Sequence, residues 1–403
     1  MAKLRMALVM VVALAVAPVA LAIPTTYTVD AGGGGDYTTI AAAIGAATSG
    51  DTISIITAGA HTENSITISN KDLTITGQGA DVTTVQAAAT RGTAGARIFT
   101  LTNTATVTFQ DMTLRHGDAG SGSVMHTGRW KNVHLTVERC AFVDNDASGA
   151  GTYDYGGAAI YHGNASAGQG DLTIIDCTFS GNNVANGKGA AVLAESLDTT
   201  IIRNSTFSNN SALHTAGWLY GGAVSMGPSD TGLVQNSTFV GNTFGNMTQQ
   251  GGVALAGNVN TTVESCLFAD NVAQGLGIVN LGYSAPRGDI KNCLSEGDIL
   301  SYADDLGGNT QNAADAGVDA TLADNGGPTL THMLLDGSPA IDTGSNPAGL
   351  SFDQRGDGFL RTYDAGTDMG AVEVQPAAGA PIPEPAGLSL LGLALLSLRR
   401  RRS

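Results

Sequence analysis

Apolar residues in this chain recur at every second position in short bursts, separated by clusters of Gly, Asn and Asp. "DLTIIDCTF" at Asp171 shows the pattern, and "DLTITGQG" at Asp72 and "DMTLRHG" at Asp111 are looser versions of it. Alternation of this kind predicts strands with one buried face, and the Gly and Asn clusters predict tight turns between them. Between residues 140 and 300 no segment carries an amphipathic 3.6-residue period, so the region reads as all-β. One stretch near the start differs. Ile40, Ala43, Ile44 and Ala47 fall at helical spacing, with Thr38 or Thr39 placed to cap the first turn. A short helix there would close one end of the strand array and hide its edge.

The bursts are also copies of one another. "RCAFVDN", "DCTFSGN", "NSTFSNN", "NSTFVGN" and "SCLFADN" align on Cys140, Cys177, Ser205, Ser237 and Cys266, with spacings of 37, 28, 32 and 29 residues. Phe142, Phe179, Phe207, Phe239 and Phe268 then share one position, and Asn145, Asn182, Asn210, Asn242 and Asn271 another. Gly-rich segments such as "YGGAAIY" and "YGGAVSM" recur between the copies. Such a unit fits a parallel β-helix, whose coils lie about 4.8 Å apart so that each position stacks on its own copy. The phenylalanines are expected inside, and the asparagines along a hydrogen-bonded turn column. Cys140, Cys177 and Cys266 alternate with serines in this register, which points to small buried thiols, while Cys140 and Cys177, in neighbouring coils, leave a disulfide open as the alternative in an exported chain. Cys293 falls one coil beyond Cys266, and no cysteine or histidine spacing suits zinc. The triplet Asn204-Ser205-Thr206 lies inside the repeat and reads as structural.

Composition supports a folded chain with many turns. Of 403 residues 55 are Gly, 42% are hydrophobic and 5% aromatic. The formal net charge of −16 argues against nucleic acid or anionic lipid as partner. Residues 1–22 combine basic Lys3 and Arg5, an apolar run and Ala20-Leu21-Ala22, the layout of a secretory signal peptide. At the far end an apolar run from Ala386 to Leu398 precedes four arginines. As a helix it would reach roughly 20 Å, short of the roughly 30 Å bilayer core, a marginal anchor with its arginines on the cytoplasmic side.

Residues 25–300 resemble the pectin-lyase-like proteins, a superfamily of right-handed parallel β-helices that includes polysaccharide lyases, pectin esterases and non-enzymatic surface proteins. The resemblance rests on the N-terminal passage from "GDYTTIAAAIGAATSGD" through "TITGQG". Residues 301–378 resemble the choice-of-anchor Q domain through Asn325-Gly326-Gly327-Pro328-Thr329, Gly337-Ser338-Pro339-Ala340-Ile341-Asp342, Asp353-Gln354-Arg355-Gly356 and Gly370-Ala371-Val372-Glu373. They are expected to form the last coils and a C-terminal cap, with Arg355 and Arg361 pairing among Asp342, Asp353, Asp357, Asp368 and Glu373. Residues 379–403 resemble a PEP-CTERM sorting signal through Pro383, Glu384 and Pro385. That resemblance implies export, transient anchoring in the inner membrane and processing by an exosortase-type enzyme.

The motifs of pectin-lyase-like enzymes are largely missing. "GAHTEN" at Gly59 only echoes the pectin esterase pattern, and the polygalacturonase strings are absent. The best catalytic candidates are His116, His126, Arg129 and Lys131, within a stretch that also holds Arg115, Asp118, His134 and Glu138. A base beside a uronate or an acid–base pair could be built from them. Tyr153, Tyr155, Trp218 and Tyr220 precede Gly-rich turns and form a candidate glycan-stacking row. No cofactor is called for, although calcium could sit among the C-terminal aspartates. The reading is therefore an exported, non-enzymatic surface or matrix protein that binds extracellular polysaccharide or acts as an adhesin. A polysaccharide lyase or glycoside hydrolase is the alternative.

Overall fold

The computed structural model describes residues 23–127, 132–148, 156–163, 170–195, 197–213, 220–227, 231–245, 251–273, 277–282 and 285–375. The chain winds into a right-handed parallel β-solenoid. Its main sheets contain 11, 9, 8 and 6 parallel strands among the described residues. One coil shows the plan: Asp171–Ile175 lies in the first sheet, Thr178–Ser180 in the second, Asn183–Val184 in a narrow fourth, and Val192–Glu195 in the third. Thr199–Arg203 then returns to the first sheet, paired with the strand it left one coil earlier.

The repeated heptapeptide builds the second sheet and the turns on either side of it. Phe142, Phe179, Phe207, Phe239 and Phe268 pair in register, with ring centroids 4.6, 4.9, 4.7 and 5.0 Å apart along the stack. All five are buried in the core. Three residues on, each asparagine donates Nδ2 to the Oδ1 of the next: Asn145 to Asn182 at 2.9 Å, Asn182 to Asn210 at 2.9 Å, Asn210 to Asn242 at 3.0 Å and Asn242 to Asn271 at 2.9 Å. The amides of Asn182, Asn210, Asn242 and Asn271 also reach the phenylalanine carbonyl of the preceding coil, as Asn210 does to Phe179 at 3.0 Å, and Asn145 reaches Leu114 O at 3.3 Å. Positive φ falls on the residue just before each asparagine, where Asp144, Gly181, Asn209, Gly241 and Asp270 stand. Gly, Asn and Asp tolerate that conformation best, so the ladder asparagines themselves are spared it.

The cysteines behave as their alternation with serine predicts. All four are free and buried. Each Sγ or Oγ in this column faces the carbonyl two residues back, as in Cys177 to Ile175 at 3.1 Å and Ser205 to Arg203 at 2.7 Å. Thiol and hydroxyl are interchangeable here because both donate over the same short reach. Burial pushes the Cys140 thiol up to about 12.

The expected helix runs from Ile40 to Ala46, and Thr39 caps it by accepting from Ala42 N at 3.3 Å. Ile40, Ala43, Ile44 and Ala47 are its buried side, continuous with the solenoid core. Glu63 completes the cap, accepting from Ile40 N at 2.7 Å and Ala41 N at 2.9 Å while His61 Nε2 lies 2.8 Å away. Burial alone would raise this carboxyl, but His61 and the two amides outweigh it and hold Glu63 below its usual range. "GAHTEN" is thus occupied in closing the N-terminal end.

The C-terminal segment corrects one expectation. Last coils and an end cap were expected over residues 301–378, and the first part conforms: Asp304–Asp305 extends the first sheet and Thr310 bridges Leu294. From about Ala313 to Val374 the chain turns back as a strap over the outside of the second sheet. It binds by polar threads. Thr178 Oγ1 donates to Leu330 O, Thr206 Oγ1 donates to Gln354 Oε1 at 2.6 Å, Asn236 Nδ2 donates to Ser345 O at 2.8 Å, and Ala371 N donates to Thr238 Oγ1 at 2.8 Å. Val240, Leu267, Ala269 and Leu294 project outward from the sheet and bury with Ala316, Leu334, Ala340 and Met369. That apolar patch is the physical reason for the strap's course, since left open it would expose side chains worth about 1.5–3 kcal/mol each to bury. Inside the strap Arg355 pairs with Asp353 at 2.6 Å, and Arg361, fully buried, pairs with Glu373 at 3.2 Å.

Candidate functional site

The imidazole-rich stretch from Arg115 to Glu138 occupies about one coil, so its members are distributed around the solenoid. Arg115 donates Nε to Gln86 at 3.0 Å beside the second sheet. His116, at φ 59°, is held with Nδ1 3.0 Å from Ala88 O. His134 stands on the first sheet, its Nδ1 2.7 Å from Asp171 Oδ2. Glu138 lies beside Arg139, whose guanidinium grips Asp111 at 2.7 and 3.0 Å. Arg129 and Lys131 lie outside the described residues. Density along the chain is therefore not density in space, and His116 and His126 do not share a site.

His126 has the most distinctive surroundings of the group. It lies on the third sheet, stacked on Tyr161 one coil away with centroids 4.8 Å apart and planes 20° from parallel. Burial and the nearby Arg97 push its pKa down to about 4, which keeps the ring neutral at physiological pH. Its Nδ1 is buried without a hydrogen-bond partner among the described residues. Burial also lowers Arg97. Both shifts disfavour an added positive charge here, so His126 beside Arg97 is a weakly basic imidazole and a poor proton acceptor near neutral pH. His162 is neutral for the same reason, pushed to about 4 by burial, but its ring lies between Thr127 Oγ1 at 3.2 Å and Val133 O at 3.0 Å inside the coil. That placement is structural.

Acidic residues are mostly engaged with backbone. Asp30, Asp36 and Asp51 accept from amides at the N-terminal end, which holds all three below the usual carboxylate range. Among the described residues no group of three or more His, Cys, Asp or Glu side chains is arranged to hold a metal ion. The candidate aromatic row falls almost wholly beyond description. Tyr153, Tyr155 and Trp218 lie outside the described residues, and of Tyr220 only the backbone is described, paired with Gly251. Pro383, Glu384 and Pro385 also lie outside them, as do residues 1–22.

The feature that sequence reasoning missed is the outer face of the first sheet. Thr26, Thr52, Thr74, Thr108, Thr136 and Thr173 stand opposite one another in six successive strands. Their neighbours Ile53, Ile75, Val107, Leu135 and Leu172 point into the core, so the threonines point out. Thr26 is exposed and the other five are partly exposed, as an open pleated surface leaves them. None of the six hydroxyls has a hydrogen-bond partner among the described residues. Further along, the column continues as Ile201, Leu233, Thr262, Asp289 and Asp304. Threonine at every second position was the available signal, but insertions scatter the intervals and hide the column.

In a comparison with known protein families, the model described as right handed beta helix region matches residues 158–298, well under half of the chain. It covers the coils that carry the most regular phenylalanine and asparagine columns. A comparison with curated proteins finds no match.

Proposed function

We propose that this is an exported, non-catalytic solenoid that binds extracellular polysaccharide along its outer surface. The carrying observation is the outer face of the first sheet, 11 strands long among the described residues, six successive strands of which carry threonine hydroxyls without a partner among those residues. Such a face offers donors, acceptors and methyl contacts at a constant step, which suits a polymer more than a small molecule enclosed in a pocket. The leader-like residues 1–22, the choice-of-anchor Q-like segment and the PEP-CTERM-like tail support export and surface display. In this reading the strap serves to close the second sheet, leaving the first sheet as the working surface.

A second reading follows from His126. Its buried Nδ1, unpartnered among the described residues and beside Arg97, is where a polysaccharide lyase's contact with a uronate would be sought, although a pKa held at about 4 makes the ring a weak proton acceptor at neutral pH. Affinity electrophoresis through gels cast with neutral or acidic polysaccharides tests the first reading, which expects retardation by at least one of them. Appearance of unsaturated uronate products, lost in His126→Ala, would replace it with the second.

A further inference from the structure

We infer that the threonine column of the first sheet is a track for a neutral, extended, β-1,4-linked glycan lying along the solenoid axis. This rests on the polysaccharide-binding reading and adds the ligand class, the site and the direction of the chain.

Geometry comes first. Thr26, Thr52, Thr74, Thr108, Thr136 and Thr173 are consecutive partners in one sheet, so the column advances by about 4.8 Å per coil and spans about 24 Å. An extended β-1,4-linked glycan advances by nearly the same step per sugar. Each sugar would then meet an equivalent threonine, with the small mismatch limiting good register to about five sugars. Each threonine offers one donor, two acceptor lone pairs and a methyl group. Its β-branched side chain is stiff at χ1 on a strand, so little rotamer freedom is lost when it binds.

Charge selects among polymers. The outward strand positions from Thr26 to Gln110 are Thr26 and Thr28, Thr52 and Ser54, Thr74 and Thr76, then Thr106, Thr108 and Gln110, with no ionisable group. The carboxylates at the margins add negative potential: Asp36 is bonded to Thr28 at 2.8 Å and Asp72 accepts from Thr106 N at 2.8 Å. On the last two strands of the column His134 is paired with Asp171 and Glu138 with Arg139, and Lys71 beside Asp72 is turned onto Ile44 O. A polyuronate laid here would therefore meet carboxylates while the nearby cations are already engaged, whereas a neutral glycan would need none. The column also stops being hydroxylic at Ile201 and Leu233, which sets its far end.

The test uses the full-length protein and cellohexaose as probe, with polygalacturonate as the acidic comparison, followed by calorimetry. Thr74→Val with Thr108→Val removes two hydroxyls while keeping shape and strand propensity, and Thr262→Val serves as control beyond the apolar break. Cellohexaose affinity should fall about tenfold in the double variant, as two lost hydrogen bonds imply, and stay within twofold in the control. If cellohexaose binds but the double variant matches the parent, or polygalacturonate binds more tightly, the track is wrong while polysaccharide binding stands. If neither polymer binds, both fail. Arrest of ice growth without glycan binding would likewise overturn both and reassign the face to ordered water.

Discussion

Gln354 donates its side-chain amide to Thr178 Oγ1 at 2.9 Å across 176 residues of sequence, and accepts from Thr206 Oγ1 at 2.6 Å one coil further on. One side chain thus ties the strap to two neighbouring coils. It also reaches Cys177 O at 3.2 Å and Thr329 Oγ1 at 3.0 Å, all in buried surroundings. Replacement Gln354→Leu should cost about 1–3 kcal/mol, because it leaves the Thr206 hydroxyl buried and unpaired and takes one bond each from Thr178 Oγ1, Thr329 Oγ1 and the Cys177 carbonyl, which keep their other partners. Hydrogen exchange should quicken first at Ala371 and Ser345, with the amides of the first sheet unaffected.

The asparagine ladder makes a sharper demand. Asn210 donates to both Asn242 and Phe179 O, and its Oδ1 accepts from Asn182 N and Asn182 Nδ2. Asn210→Ala removes all four contacts in a buried column. A loss of about 2–4 kcal/mol is expected, read as a lower urea midpoint at unchanged slope.

Phenylalanine in the stack contributes by volume. Phe207 lies between Phe179 and Phe239 with no exposure, and Phe207→Ala should destabilise by about 3–5 kcal/mol through the cavity it leaves. Phe207→Leu should cost less than half of that in the same thermal unfolding measurement.

Acid and base should loosen different parts of the molecule. Burial raises Asp176 and Glu373 to about 7, against ordinary values near 4. Their folded-state pKa values are raised, so the stability they contribute is full below about pH 4 and is lost as pH rises through 7. His126 and His162 are depressed to about 4, so theirs is full above about pH 6.5 and lost as pH falls through 4. His332, in the strap against Ser208, is also depressed by burial and opposes the acids there. Hydrogen exchange at the strap should therefore slow from pH 8 to pH 5 after correction for intrinsic rates, and Glu373→Gln should flatten that dependence. Exchange in the coils of His126 and His162 should quicken between pH 6.5 and pH 4.

Thiol chemistry provides a check on register. Cys140, Cys177, Cys266 and Cys293 are buried, and desolvation raises the first three thiols above their ordinary range. Iodoacetamide at pH 8 should leave the folded protein unmodified and add four groups after denaturation.

The sequence reveals what repeats and hides what does not. Residues that stack on copies of themselves, such as Phe179 on Phe207 or Asn210 on Asn242, announce their register because each coil imposes the same environment. The helix at Ile40 is equally legible, since its buried face follows from spacing. The strap's course is not legible, because Thr206 and Thr238 look like solvent-facing strand residues until Gln354 and Ala371 are placed on them. Only Leu267, standing where other copies carry threonine or alanine, hints that something covers that side. The candidate site suffered from the same cause. Arg115 to Glu138 is dense along the chain but wraps one coil, while the threonines of the first sheet lie 26, 22, 34, 28 and 37 residues apart and form one column.

The central claim is that the solenoid holds polysaccharide without cutting it. The most direct measurement incubates the purified protein with neutral and acidic polysaccharides and follows both retention and polymer length by size-exclusion chromatography. The account predicts co-elution with a neutral β-linked polymer whose length is unchanged over hours. Progressive shortening of any polymer, or co-elution with none, would contradict it.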